Sequence, residues 1–162
     1  MSTLFEFPNP VNEKAARSVA GGVLVLALLG LIPGLTWLSI VLAIGFWLRV
    51  ASGPRFSPLG QMATRVIAPR FGPAKLVPGP PKRFAQLIGA TVTTAAAICL
   101  LAGAVGAAQI LLLLIVVAAG LESGLGLCLG CVIFGYLMRA GLIPSEICVE
   151  CNNVGLRYRQ NV

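Results

Sequence analysis

Two pairs of cysteines near the C-terminus are the residues in this chain best suited to chemistry. Cys128 and Cys131 form one CxxC motif, Cys148 and Cys151 form a second, and sixteen residues lie between them. This spacing is typical of four-thiolate zinc sites. It also suits thiol–disulfide exchange, in which one thiolate attacks a disulfide and its neighbour resolves the mixed intermediate. Zinc binding, thiol chemistry and inert packing of small side chains therefore all remain open.

The surrounding residues bear on which chemistry the thiols support. The chain contains no histidine, which excludes mechanisms that need an imidazole base or ligand. A helix break at Gly124–Gly126 would leave Cys128 near the start of a new helix, where unpaired amides and the helix dipole lower a thiol pKa. Burial in apolar surroundings would raise it. Cys99 stands alone in an apolar run, so we expect it to pack as a small hydrophobic side chain.

The elements that must position these cysteines are predicted to lie in a membrane. The chain has 162 residues, of which 57% are hydrophobic and 10% charged, whereas soluble domains carry about 25% charged residues. Residues 18–48 hold no charge, and residues 84–138 hold only Glu122. A membrane span needs roughly 20 apolar residues. These runs therefore predict an all-α integral membrane protein forming a single domain over residues 1–162.

Glycine and proline divide the two apolar blocks into helical hairpins. Breaks at Gly30–Gly34 and Gly103–Gly106 interrupt the helical pattern. The resulting four predicted transmembrane helices cover residues 11–32, 35–50, 84–102 and 107–127, and residues 128–162 form a cysteine-rich tail. The alternative for the first block is one kinked span.

The basic residues predict how these spans are oriented. All twelve Lys and Arg residues lie in the two terminal segments, in the central connection, or at the ends of the first two spans that adjoin them. Basic residues remain on the cytoplasmic side, so four spans with both termini inside the cell place all of them on one side. We therefore expect a multi-pass membrane protein with both termini in the cytoplasm. The cysteine-rich tail then faces a reducing cytosol, where paired thiols usually do metal or redox work.

The central connection is predicted to lie on the membrane surface. Ser57 and Pro58 form a helix start, and apolar residues recur at helical spacing to give an interfacial helix over residues 57–68. Its basic neighbours favour anionic lipids. A nucleic-acid partner is not expected, because the segment has few aromatic residues for base stacking. The predicted membrane-surface residues are Arg55, Arg65, Arg70, Lys75, Lys82 and Arg83.

Glu122 is the charged residue of the last predicted span. An ionisable residue within a membrane is a functional candidate because it is costly to bury there. Counting antiparallel helices from their shared turn brings it within reach of Lys82 or Arg83, and we expect a structural ion pair. A proton or ion relay is the alternative, although few polar residues lie on the neighbouring helices.

The motifs together resemble a known family. Gly79-Pro-Pro-Lys-Arg-Phe-Ala-Gln86, Ser52-Gly-Pro-Arg-Phe-Ser-Pro58, the CLGC motif and the ending Leu142 to Cys151 look like the bacterial membrane family called domain of unknown function 4395. The resemblance implies that the protein lies in a bacterial inner (cytoplasmic) membrane and that both CxxC pairs are family features. It also implies a soluble thioredoxin-like or sulfurtransferase protein as the partner. The expected function is thiol redox or sulfur transfer with that partner. The alternative is a noncatalytic membrane subunit with a structural zinc site.

Overall fold

The chain is mostly helical, as predicted. A computed structural model describes residues 9–148 and Cys151. Within that part of the chain, six α-helices are accompanied by one short antiparallel strand pair. The helices are α1 Glu13–Gly30, α2 Leu38–Ser52, α3 Pro58–Met62, α4 Gly79–Leu101, α5 Val105–Gly120 and α6 Leu129–Arg139, and the strands are β1 Val11–Asn12 and β2 Leu76–Val77.

The two predicted helix breaks are confirmed. The chain turns between α1 and α2, where Gly34 has a φ of 87°, and between α4 and α5, where Gly103 has a φ of 79°. Both values lie in the left-handed region that glycine adopts without a Cβ clash. The first hairpin nevertheless begins its second helix at Leu38 and not at residue 35, because backbone bonds such as Leu38 N to Leu35 O hold residues 31–37 in consecutive turns.

The core lies between α1, α2, α4 and α5. Small side chains occupy the contact faces, including Ala27 on α1 and Ala90 on α4, and larger residues such as Leu42 and Leu112 fill the remaining space. Small residues let helix backbones approach closely. Gly89 is an example, because a Cβ at this position would come within 2.3 Å of the Phe46 ring.

Two helical segments are both long and apolar enough to cross a membrane. They are Gly79–Leu101 and Val105–Leu125, which together correspond to the second predicted hairpin. The first hairpin does not meet the same criteria. Its α1 has 18 residues but includes Glu13, Lys14 and Arg17, and α2 has only 15 residues.

The central connection forms a helical segment that is less regular than predicted. Ser57 caps α3 by accepting a hydrogen bond from the Gly60 amide at 3.3 Å, as the sequence indicated. The α-helix ends at Met62 and continues as a π-turn over Ala63–Ile67 and a 3-10 turn over Ala68–Phe71. The prediction of one regular helix over 57–68 is therefore corrected. The segment stays helical, but the Ala68 amide bonds to the Ala63 carbonyl five residues back, which is the π pattern.

The strand pair fastens the start of α1 to the start of α4. Val11 pairs with Val77, the Glu13 amide donates to the Lys75 carbonyl at 2.8 Å, and the Gly79 amide donates to Asn9 Oδ1 at 2.8 Å. These contacts fix one end of the bundle, which is the end where the cysteines lie. The predicted tail over 128–162 begins with an ordered helix, α6, packed on α4. Residues 149, 150 and 152–162 lie outside the described residues.

Candidate functional site

The first cysteine pair lies where the chain leaves α5 and starts α6. After α5 the backbone forms a π-turn over Leu121–Leu125 and then Gly126, with a φ of 70°, ends it. Two residues later Cys128 has extended dihedral angles and occupies the N-cap of α6. The helix break suggested by the Gly124–Gly126 sequence is confirmed. It places Cys128 at the N-terminus of an eleven-residue helix.

The sulfur of Cys128 is the hydrogen-bond acceptor at the N-cap of α6, where an oxygen atom is usual. It accepts the Cys131 backbone amide at 3.4 Å, and the Cys131 thiol donates to it with the two Sγ atoms 2.7 Å apart. Both cysteines are free thiols. The i and i+3 spacing of CxxC thus brings both donors onto one sulfur, which is the arrangement that stabilises a thiolate.

The pKa values of the two thiols in this pair are shifted in opposite directions. The hydrogen bond from the Cys131 thiol lowers the pKa of Cys128, assisted by the positive charge of Lys82 and by the Cys131 amide, although burial and Glu122 act against it. The pKa of Cys131 is raised, first because its proton is held in that same bond and second because it is buried. Cys128 is therefore the member of the pair that ionises first, while Cys131 keeps its proton.

An ion pair adjoins the thiols. Lys82 Nζ donates to Glu122 Oε1 at 2.6 Å, and both side chains are largely buried. The pairing predicted for Glu122 is confirmed for Lys82. Arg83, the other predicted candidate, instead donates to the Val50 carbonyl at 3.2 Å. The prediction that Lys82 lies on the membrane surface is therefore corrected, because its ammonium group is buried and paired with Glu122.

Arg17 is a supporting residue that the sequence analysis missed. Its guanidinium donates to the Ser123 carbonyl at 3.1 Å and to the Gly124 carbonyl at 2.8 Å. A basic side chain on carbonyls at the C-terminal end of a helical segment is a favourable arrangement. Arg17 therefore holds the turn that leads to Cys128. The sequence offered no signal beyond a charge near the N-terminus, since these partners are more than 100 residues apart.

Gly130 is a second supporting residue, and it lies inside the CLGC motif. A Cβ at Gly130 would lie 2.5 Å from the Cα atom of Ala85 on α4. Contacts that short do not occur, so only glycine lets α6 pack against α4 at this level. Phe134 then packs edge-on against Phe84, with ring centroids 5.6 Å apart. The glycine between the cysteines was a usable sequence signal for this helix contact.

The second cysteine pair is oxidised in the structure. Cys148 ends a 3-10 turn over Ser145–Cys148 and forms a disulfide with Cys151, with Cα atoms 5.3 Å apart. Cys148 is 3% exposed, compared with 7% for Cys128, because the turn packs against α4. Cys151, like Cys131, is half-buried.

One open cavity joins the two pairs. It has a volume of about 870 Å³ and is lined by Cys128, Cys131 and Cys151 together with Lys82 and Arg139. Its remaining walls come from the β2 region, the Gly126 turn and α6. The free thiol pair and the disulfide thus face a shared space.

The described cysteines do not fit the four-thiolate zinc alternative. Cys148 and Cys151 are bonded to each other, and a disulfide sulfur is not a thiolate ligand. Among residues 9–148 and Cys151, no group of three or more metal-ligating side chains is gathered in one place. The arrangement instead offers one dithiol and one disulfide.

The other predicted site residues lie around the same end of the bundle. Lys75 forms an ion pair with Glu13 at 2.8 Å. Arg55, Arg65 and Arg70 are exposed, in agreement with a surface position. Cys99 lies far along α4 from this end and does not line the shared cavity.

Comparison with known proteins identifies the family of the chain. No match was found among the curated proteins or among the solved structures. A family model described as "Domain of unknown function (DUF4395)" matches residues 11–139, which include Cys128 and Cys131 and end before Cys148. The chain therefore belongs to the DUF4395 family.

Proposed function

We propose that this protein is a membrane-embedded thiol–disulfide exchange component that works with a soluble dithiol or disulfide protein. The observation that carries the proposal is the shared cavity, which is lined by both cysteines of the capped free pair and by Cys151 of the oxidised pair. Transfer between such pairs requires only thiolates. The absence of histidine from the chain is compatible with that chemistry.

The internal step is a balanced two-electron exchange. The Cys128 thiolate attacks Cys151 Sγ, which breaks the Cys148–Cys151 bond and releases Cys148 as a thiolate. The Cys131 thiol then loses its proton and attacks Cys128 Sγ, forming the Cys128–Cys131 disulfide and releasing Cys151. One pair is oxidised, the other is reduced, and the reverse reaction uses the same atoms.

The soluble partner is expected to react with the second pair. Cys151 is half-buried and lines the cavity, whereas Cys148 is buried. Cys151 is thus the member that a partner thiol reaches, and Cys148 is its resolving cysteine. The partner is a thioredoxin-like protein in this proposal. A sulfurtransferase partner would need one persulfide-carrying thiolate, so the presence of two complete pairs favours exchange over sulfur transfer.

Trapping tests this proposal. The Cys128→Ser/Cys148→Ser variant leaves neither proposed attacking thiol to resolve a bond at Cys151, so we expect it to accumulate a mixed disulfide with a purified thioredoxin-like protein, whereas Cys128→Ser/Cys151→Ser should not. The Cys131→Ser/Cys148→Ser variant should form an internal Cys128–Cys151 disulfide on mild oxidation, located by peptide mapping. Cys99 is the internal control, because it should appear in no cross-link. Failure of both the partner trap and the internal bond would overturn the proposal.

The zinc alternative predicts a different result in the same preparation. A four-thiolate site would give about one zinc ion per chain and no disulfide. The proposed exchange function gives three alkylatable thiols without reduction, Cys99, Cys128 and Cys131, with two more after reduction. Metal analysis together with a thiol count on the purified protein separates these outcomes.

The proposal includes four membrane spans with both termini in the cytoplasm. Support for the first hairpin comes from its exposed apolar side chains, such as Val25 and Leu28 on α1 and Ile44 and Trp47 on α2. Lipid contact explains such a surface, whereas water does not. Reporter fusions after Pro33 and after Val105 should read outside, and fusions near Lys75 and at Val162 should read inside. A cytoplasmic signal at Pro33 would remove the first hairpin from the membrane.

The segment after α2 is proposed to contact anionic lipid at the cytoplasmic surface. Phe56, Met62, Val66 and Phe71 are exposed, and they alternate along the chain with the basic side chains of Arg55, Arg65 and Arg70. Apolar anchors beside cations are the combination that binds a negatively charged membrane surface.

A further inference from the structure

A second cavity lies among the helices, next to the thiol pair. It has a volume of about 350 Å³ and is bounded by α1, α2, α4, α5 and α6. Most of its lining is apolar, including Val23, Val92 and Leu114, and the polar groups are Gln86, Glu122 and the thiol residue Cys128. Eight residues separate Leu114 from Glu122 on one helical run, which is about 12 Å at 1.5 Å per residue. The cavity is therefore apolar along its length and polar at the thiol end.

Cys128 belongs to the lining of both cavities. It faces the shared thiol cavity together with Cys131 and Cys151, and it also contributes to the apolar cavity. The Lys82–Glu122 ion pair is divided in the same way, with Lys82 lining the first cavity and Glu122 the second. This wall is the point at which thiol chemistry meets an apolar compartment.

The apolar cavity opens toward the surface that the proposed function assigns to lipid. Leu114 and Val117 line the cavity and are also exposed on α5, which is one of the proposed spans. A ligand that enters between α5 and α6 would therefore come from the bilayer. The volume of the cavity lies within the roughly 300–1,000 Å³ typical of small-molecule sites. Because one side of the cavity is open, a hydrocarbon tail attached to the ligand can remain outside.

We propose that this cavity binds the ring of a lipid-soluble quinone, which accepts two electrons from Cys128 and Cys131. An apolar ring with a carbonyl oxygen matches apolar walls that end in the Gln86 amide, a hydrogen-bond donor. A lipid acyl chain matches the walls but leaves those polar groups without a use. The inference rests on the proposed exchange function, because in that function Cys128 and Cys131 change between the dithiol and the disulfide state.

The reaction balances as a two-electron, two-proton transfer. The two sulfur–hydrogen bonds of Cys128 and Cys131 are lost and one sulfur–sulfur bond forms. The quinone gains two electrons and two protons, giving two oxygen–hydrogen bonds and a hydroquinone. The resulting disulfide then oxidises the reduced Cys148–Cys151 pair. That step restores the state seen here, in which Cys148 and Cys151 (the outer pair) are oxidised and Cys128 and Cys131 (the inner pair) are free thiols.

The test uses the full chain in phosphatidylcholine nanodiscs, with decylubiquinone as the probe. The Cys148→Ser/Cys151→Ser variant isolates the inner pair. After reduction and removal of reductant under anaerobic conditions, we expect about one hydroquinone per chain, by absorbance, and a Cys128–Cys131 disulfide, by peptide mapping. Adding Cys128→Ser to this variant should abolish both products.

Cavity-filling variants show where the quinone reacts. In the inner-pair variant, Val92→Trp fills the cavity from α4 and Ala118→Phe fills it from α5, so each should slow hydroquinone formation at least tenfold. Val41→Trp is the matched control, because Val41 is exposed on α2 and does not line the cavity. Reaction of Cys128 and Cys131 with a water-soluble disulfide reports an intact thiol site in every variant.

The possible outcomes separate this inference from the proposed function. Absence of hydroquinone, with the Cys128→Ser/Cys148→Ser partner trap still forming, would overturn the quinone site and leave thiol exchange standing. Equal quinone rates in Val41→Trp and both cavity-filling variants would place the reaction outside the cavity and also overturn the inference. Failure of the partner trap together with normal quinone reduction would instead overturn the proposed partner exchange.

Discussion

Cys128 and Cys131 lie at the start of an eleven-residue helix, whereas Cys148 lies at the end of a four-residue 3-10 turn. The first pair, which we call the inner pair, is held without a covalent bond. Its position depends on contacts with parts of the chain that are distant in sequence. These are the contacts of Lys82 with Glu122, of Arg17 with the turn before Cys128, and of Gly130 with α4. The outer pair, Cys148 and Cys151, is closed by its own disulfide.

This difference indicates different tasks for two identical motifs. Reactivity in the inner pair depends on tertiary structure, because the charge of Lys82 and the helix start at Cys128 both require the assembled bundle. The outer pair needs only its local turn to bring two cysteines together. Changes to the supporting residues should therefore alter the inner pair and leave the Cys148–Cys151 disulfide intact.

The largest effect is expected from breaking the ion pair. Lys82→Met leaves the Glu122 carboxylate largely buried without its partner, which costs about 3 kcal/mol of unfolding free energy when the remaining charge has no compensation. The Lys82→Met/Glu122→Gln variant should recover most of that loss. Thermal unfolding in detergent measures both. Equal stability of the single and double variants would show that the pair contributes nothing beyond its side-chain contacts.

Gly130→Ala should have the next largest effect. Its new Cβ meets the backbone of Ala85, so α6 must move away from α4, and overpacking of this kind costs about 1–3 kcal/mol. Alkylation of Cys128 should change with it. Gly135→Ala on the same helix is the matched control, because nothing lies within 4 Å of its added Cβ. If both variants unfold alike, close packing at Gly130 is not what positions the inner pair.

Sequence patterns predicted the helices of this fold and their ends better than the segments and contacts that connect them. The breaks at Gly34 and Gly103, the cap at Ser57 and the helix start at Cys128 each depend on a few neighbouring residues, so local chemistry was sufficient. The irregular segment after Met62 and the strand pair between Val11 and Val77 were not predicted. Those features depend on how distant parts of the chain pack.

The candidate site shows the same limit. Counting residues along antiparallel helices was enough to bring Glu122 to Lys82, because a regular helix has a fixed rise per residue. No such count places Arg17 on the Ser123 carbonyl, and none determines that Cys148 is buried. The burial of Cys148 depends on a turn packing against α4, and its sequence is short and has no periodicity.

Arg17→Gln should weaken the turn that precedes the inner pair. The variant loses the charge-assisted hydrogen bonds to the Ser123 and Gly124 carbonyls. A hydrogen bond of this type is worth about 1.5 kcal/mol. We therefore expect faster alkylation of Cys128 or faster hydrogen exchange over 126–128. Arg83→Gln is the control, because Arg83 also donates to a carbonyl but does so at Val50. An equal response of the turn to both substitutions would contradict a specific role for Arg17.

The smallest predicted effect concerns the pH dependence of Cys128 alkylation. The Cys131 thiol lowers the pKa of Cys128, so the thiolate, and with it the alkylation rate, should reach half its maximum below the pH of an ordinary thiol. Cys131→Ala removes that donor and raises the pKa of Cys128. A hydrogen bond to a charged group is worth about 1.5 kcal/mol, and one pKa unit corresponds to about 1.4 kcal/mol, so the profile should move up by about one pH unit.

Mass spectrometry of iodoacetamide-treated protein follows the alkylation of Cys128 in the native chain and in Cys131→Ala. Cys99 is the internal reference, and the oxidised outer pair remains unlabelled. A profile for Cys128 that does not move in Cys131→Ala would mean that the inner pair is tuned by its helix start and Lys82 alone.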